Sequence, residues 1–164
     1  MSVRVVQLGS PRLEAEGLRI GTVRRPPRGV PKAEYASRDL YDLWLPELAP
    51  SEALLKAGRL IDTSSERRRT GRKCLLAPCS AGVSGGSGGD VRVAIPRNSD
   101  RRWRQFVRRY RMEMSRPEAR HLLDLLAALS RRTNFSVGCY CANETRCHRS
   151  ILRQLLAEHG AVFE

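Results

Sequence analysis

The chain is predicted to fold as a small single α/β domain whose mostly parallel sheet is flanked by helices. Three observations carry that prediction. Two short β-branched runs, residues 3–8 (Val-Arg-Val-Val-Gln-Leu) and 18–23 (Leu-Arg-Ile-Gly-Thr-Val), open the sequence. A third apolar run, 134–139, sits between two helical patterns with short links, which is the grammar of a parallel unit. The 164 residues suffice for one hydrophobic core without disulfide staples.

The first two runs are bounded by Gly9, Ser10, Pro11 and Gly17 and read as strands. Arg24-Arg25-Pro26-Pro27-Arg28-Gly29-Val30-Pro31-Lys32 then breaks regular structure as a stiff basic loop. From Tyr35 to Pro50, Leu40, Leu43, Trp44 and Leu48 line one face of a broken helix or an extended cover over the core. Ser51 is a good N-cap for a short helix that stops at Gly58. A basic, Gly/Ser-rich insertion follows at about 60–98, including a run from Gly82 to Gly89 that reads as a linker. That run lacks the Lys-Ser/Thr ending of a nucleotide-binding P-loop, and Val91 to Ile95 reads as a further strand.

Ser99 or Asp100 is expected to cap the next helix. Its Trp103, Phe106, Val107, Tyr110 and Met114 recur at helical spacing as a buried stripe, and six arginines fill the other faces. Ser115-Arg116-Pro117-Glu118 reads as a capping box before a helix that buries Leu122, Leu123, Leu126 and Leu129. Asn134 to Cys139 is a strand, and Cys147 to His159 the last helix, with Ile151, Leu152, Leu155 and Leu156 inward and Gly160 at its end.

Charge and cysteine usage narrow the function. Thirty Lys and Arg against 17 Asp and Glu give a formal charge of +13, which favours an anionic small molecule or nucleic acid as partner. No run approaches the roughly 20 apolar residues of a membrane span, so no membrane association and a cytoplasmic location are expected. Five cysteines, an odd and clustered set, fit a reducing compartment better than a disulfide framework.

Three of those cysteines fall between Val137 and Ser150, in Gly138-Cys139-Tyr140-Cys141 and Arg146-Cys147-His148-Arg149. A parallel sheet binds ligands beyond the carboxyl ends of its strands, where helix N-termini point. A thiolate there is stabilised by the helix dipole and by neighbouring arginines. Cys141 as nucleophile, Cys147 and His148 as its catalytic partners, and Arg146, Arg149 and Arg28, with Arg24 near them, as anion-binding groups make a workable set. Cys139 reads as a small buried hydrophobe at the strand end. A tyrosine-phosphatase loop needs Cys, five residues, then Arg, and after Cys141 that position holds Cys147. Arg146 lies one position earlier, nearer to a rhodanese-type loop but without its small residues.

Metal binding is the competing use of the same residues. Cys139, Cys141, Cys147 and His148 offer four ligands, and Cys74 and Cys79 two more, but the spacings of one and five residues differ from zinc knuckles. Adjacent Cys147 and His148, if helical, diverge by about 100°. No cofactor is therefore expected, with zinc or iron as the alternative.

The segment Cys141 to Leu152 resembles the Cys…Cys-His-Arg signature of the domain of unknown function 488 family. Asp42 to Ser51 resembles its Trp-x-x-Glu-Leu-Ala-Pro-Ser element, and Trp103-x-x-Phe106-x-x-x-Tyr110-x-x-Glu113-Met114 its Phe-x-x-x-Tyr helix. Arg25-Pro26-Pro27-Arg28-Gly29 keeps the Pro-Arg-Gly of a family loop but not its Trp. The resemblance implies a small cytosolic α/β domain and carries no established reaction. The expected function is binding of a phosphate-bearing, nucleotide or nucleic-acid ligand at the Cys/His/Arg loop, with thiol-dependent catalysis open. The alternative is a non-catalytic nucleic-acid-binding protein with structural or zinc-binding cysteines.

Overall fold

The fold is taken from a computed structural model, which describes residues 1–57 and 97–164, with 97–99 as backbone alone. The expected strand at 91–95, the Gly/Ser run and the thiols of Cys74 and Cys79 lie outside the described residues.

Four parallel strands form one sheet: β1 (Val3–Gln7), β2 (Leu18–Gly21), β3 (Leu43–Trp44) and β4 (Phe135–Cys139), in the order β1-β4-β2-β3. The last strand in sequence enters between the first two, with Val137 opposite both Val5 and Ile20. Every residue of β4 is buried, as a central parallel strand requires, which explains why it reads as an almost unbroken apolar run. β3 is a correction to the expected cover over 35–50. Leu48 does enter the core, but Leu43 and Trp44 form a two-residue edge strand, half-exposed, and the Trp44 indole donates to the Val23 carbonyl at 2.7 Å.

Beside the sheet lie α1 (residues 52–57), α2 (Arg97–Met114), α3 (Pro117–Leu129) and α4 (His148–Glu158). Val3, Ile20, Phe135 and Val137 share a core with Phe106, Tyr110, Met114, Leu123, Leu126 and the four inward residues of α4. The aromatic stripe of α2 thus packs as its spacing predicts. Two helix-end expectations are revised, and one burial. α2 starts at Arg97, so Asp100 lies in its first turn; α3 is capped by Arg116 with no side-chain bond, and the Ser115 hydroxyl donates back to the Arg111 carbonyl at 2.8 Å. Leu129 is exposed, and Ala119 and Ala127 fill the α3 interface instead. Ser51 caps α1 as expected, its hydroxyl oxygen accepting from the Leu54 amide at 3.2 Å.

No helix among the described residues covers the other sheet face. The crossover between β1 and β2 and the segment ahead of β3 lie there, around a buried ion pair between Arg19 and Glu16. All five guanidinium protons find acceptors: both Glu16 oxygens at 2.6 and 2.7 Å, the Ser10 and Asp39 carbonyls at 2.7 Å, and Pro11 at 3.5 Å. Ser136 of β4 donates to Glu16 at 2.5 Å, tying the pair to the central strand. Gly17 turns the chain into β2 at φ +73°, and a Cβ there would collide with the Asn134 carbonyl oxygen, so only glycine fits.

Candidate functional site

The strands deliver their carboxyl ends together: Gly21 closing β2 with Thr22 after it, Leu8 after β1, and Cys139 closing β4. Beyond β4 the chain continues through Tyr140 and Cys141 into a short turn. There Asn143 Oδ1 accepts from the amide and hydroxyl of Thr145 at 3.0 and 2.8 Å. The chain then enters α4 through Cys147, an extended N-cap residue at φ −118°, ψ 150°. Because Cys147 stands outside the helix, the expected divergence of adjacent helical residues does not apply to it and His148.

This path brings the Sγ atoms of Cys139, Cys141 and Cys147 within 4.8 Å of one another. Cys139 and Cys141 are 3.6 Å apart. Cys139 and Cys147 are buried beside Leu8, Val23 and Tyr41, and Cys141 is exposed. Cys139 is therefore buried at the strand end as expected and also a member of the cluster, the place that the metal-binding alternative gave it. Alternation was the available signal, since residues two apart on near-extended backbone face the same way.

His148 is buried and oriented from two sides. Its Nε2 lies 2.8 Å from the Thr22 carbonyl, which can only accept, so Nε2 carries a proton and Nδ1 faces Cys147 Sγ at 3.7 Å. The Thr22 hydroxyl donates to the Gly138 carbonyl at 3.0 Å, and the Tyr110 ring meets the imidazole edge-on at 5.7 Å. Tyr110 in turn donates to the Leu48 carbonyl at 2.6 Å, and Glu113 accepts from the amide (2.9 Å) and hydroxyl of Ser51. The Glu-Leu-Ala-Pro-Ser element and the aromatic helix, far apart in sequence, thus form one support behind His148.

Proton distribution in the cluster is uneven. Hydrogen bonds from the Cys139 and Cys141 thiols push the Cys147 thiol far below its ordinary range, against burial, and His148 adds to the effect. Cys139 is pushed up by sharing with Cys141 and Cys147 and by burial. For Cys141 the bond with Cys139 lowers the thiol, but sharing with Cys147 and burial outweigh it and leave it raised. Of the three sulfurs, Cys147 at the α4 N-terminus is the one shifted toward the thiolate, which the helix dipole also favours.

The expected anion-binding arginines part company. Arg149 is 2% exposed; its Nη2 donates to the Cys141 carbonyl at 2.6 Å, and its Nε has no hydrogen-bond partner. No carboxylate pairs with it among the described residues. Arg146 reaches instead to Asp100 of α2 at 2.5 Å. Arg24 donates to the carbonyls of Pro50 and Ala49 at 3.1 and 2.8 Å and so holds the start of α1. Arg28 is exposed and makes no hydrogen bond or ion pair among the described residues.

Three convergent thiols also suit a metal ion in spacing. Tetrahedral thiolate zinc, with bonds near 2.3 Å, places its sulfurs about 3.8 Å apart, close to the Cys139–Cys141 separation of 3.6 Å.

Fold and site together define a small parallel α/β domain with a cysteine, histidine and arginine site at the carboxyl ends of its strands. The chain belongs to the domain of unknown function 488 family: the DUF488-N3a model, described as the active DUF488-N3 subclade, matches residues 3–70 and 89–160. Comparison with curated proteins and with solved structures gave no match. No helix among the described residues is long and apolar enough to cross a membrane.

Proposed function

We propose that the loop from Cys139 to Arg149 binds an anionic, phosphate-bearing ligand and performs thiol-dependent chemistry on it. The observation that carries this reading is Arg149, a buried guanidinium without a carboxylate partner among the described residues, held against the Cys141 carbonyl beside three thiols. A buried cation without a carboxylate partner is costly, and an anionic ligand would add to the charge that the neighbouring sulfurs supply. Cys141, the exposed thiol, would meet such a ligand first, with Cys147 and His148 behind it. The description of the matched subclade as active agrees with a site that does chemistry.

Pyrophosphate tests the binding step. It is expected to raise the melting temperature of the chain above that in chloride of equal ionic strength, by roughly 2–4 °C for each kcal/mol of binding. Arg149→Met and Arg149→Lys should lose that rise whatever their own melting temperatures. An undiminished rise in both variants would remove Arg149 from the site.

A second reading rests on the sulfur spacing alone: Cys139, Cys141 and Cys147 hold a zinc or ferrous ion whose fourth position is open to ligand. Elemental analysis of protein purified without chelator decides between the readings. About one equivalent of metal that is lost in Cys147→Ser supports the metal centre, and its absence supports the free-thiol site.

A further inference from the structure

The candidate site leaves the outward face of α2 without a role. Arg101, Arg104 and Arg108, spaced by three and four residues, share that face, and Arg109 lies farther round the helix. All four are exposed and have no ion-pair or hydrogen-bond partner among the described residues. Their helix mates are engaged: Asp100 by Arg146, Glu113 by Ser51, and Arg111 by Glu158 at 2.8 Å. The face is also not purely polar, as a merely solvated one would be. An open groove of about 520 Å³ runs along it, lined by Trp103, Arg104, Val107, Arg108, Met112 and Ser115 together with the ion-paired Arg111. Met112 is 66% exposed there, and Trp103 backs onto Phe106 in a stacked pair with ring centres 5.3 Å apart. A supported indole beside the unpaired guanidinium groups of Arg104 and Arg108 is a combination that can stack a base while its phosphates are neutralised alongside.

This face is continuous with the thiol loop. Asp100, one turn before Arg104, is the residue that Arg146 grips at 2.5 Å. We propose that α2 binds single-stranded nucleic acid and presents it to the Cys139–Arg149 loop, so that the anionic ligand of the proposed function is a polymer strand. This rests on that reading for what happens at the loop, but the binding itself does not. The strand is single because Arg149 and Cys147, each 2% exposed, lie too deep to meet a base stacked in a duplex.

Fluorescence anisotropy with a labelled 20-nucleotide oligothymidine, titrated with the full chain between 50 and 200 mM salt, tests the proposal. Three phosphate contacts predict a log-log salt slope of about −2, hence roughly 20-fold weaker binding across that range. Arg101→Gln/Arg104→Gln/Arg108→Gln should weaken binding at least tenfold at 50 mM salt and flatten the slope, with helix content by circular dichroism reporting that α2 persists. Trp103→Phe tests stacking and should weaken binding severalfold with the slope unchanged. Arg120→Gln/Arg132→Gln, which removes exposed arginines from elsewhere on the chain, should leave binding intact. Equal loss in that control, tighter binding of duplex, preference for anionic vesicles, or no binding at 50 mM salt would each overturn the proposal. A chain that keeps its pyrophosphate response but binds no oligonucleotide loses this inference alone. One in which Arg149→Met abolishes neither the pyrophosphate response nor oligonucleotide binding keeps the α2 face and loses the thiol-loop reading.

Discussion

Arg19→Met is expected to destabilise the chain by roughly 3–5 kcal/mol, the penalty for stranding one member of a buried ion pair. Arg19 is fully buried, and its guanidinium is the common acceptor-seeking centre for the β1–β2 crossover, the Asp39 carbonyl and Glu16. Methionine keeps the volume but leaves the Glu16 carboxylate with only the Ser136 hydroxyl and the Leu13 amide. At 2–4 °C per kcal/mol this is a fall in melting temperature on the order of 10 °C. The same pair sets an acid limit. Burial alone would raise Glu16, but the bonds from Arg19, Ser136 and Leu13 and the charge of Arg19 outweigh it and hold the carboxyl at about 2. Its folded pKa is thus below the unfolded value, so its contribution is complete above roughly pH 4.5 and is lost as the pH falls toward 2. Denaturant midpoints measured from pH 6 down to 2 should fall in that window for the parent and less steeply for Glu16→Gln. A loss below 1 kcal/mol in Arg19→Met would mean that the pair does not hold this face together.

The second large effect is expected at Cys147. Two neighbouring thiols donating to it and His148 beside it push its thiol well below the ordinary range, and the α4 N-terminus behind it favours the thiolate. Thiolate absorbance near 240 nm should therefore show one equivalent already ionised at pH 7, where an ordinary cysteine, with a pKa of about 8.5, is almost wholly protonated. Cys147→Ser keeps the shape of the side chain and should abolish that equivalent. Cys141→Ser should keep it but move its midpoint upward, because one donor to the Cys147 sulfur is weakened. Identical spectra for the parent and Cys147→Ser at pH 7 would refute a shared thiolate.

How much of this was legible in sequence follows from the range of the forces involved. β1, β2 and β4 announce themselves because burial imposes a local apolar pattern, and the stripe on α2 and the inward face of α4 do so through helical spacing. β3 does not, since two half-exposed residues, Leu43 and Trp44, are placed by pairing with Ile20 and Gly21 and carry no periodicity of their own. The cap expected at Ser115 is lost to a competing local bond of nearly equal energy, from its hydroxyl to the Arg111 carbonyl. At the site, the Cys-His-Arg cluster was visible as composition. The division of labour among its arginines was not: Arg24 and Arg146 are claimed by partners 25 or more residues away, Ala49 and Asp100. Thr22, which orients His148 across 126 positions, gave no sign in sequence.

The account turns on a thiol and a buried cation sharing one ligand, and the reactivity of Cys141 reports both at once. The chain should be alkylated with iodoacetate and, separately, with iodoacetamide at pH 7, and the rate at Cys141 read by peptide mass spectrometry. The two reagents deliver groups of similar size that differ in charge, so an anion pocket at Arg149 should raise the iodoacetate-to-iodoacetamide rate ratio at Cys141 above that of glutathione by tenfold or more. Pyrophosphate should protect, and Arg149→Met should return the ratio to the glutathione value. A ratio at or below that of glutathione in the parent chain, unaffected by pyrophosphate, would contradict the account.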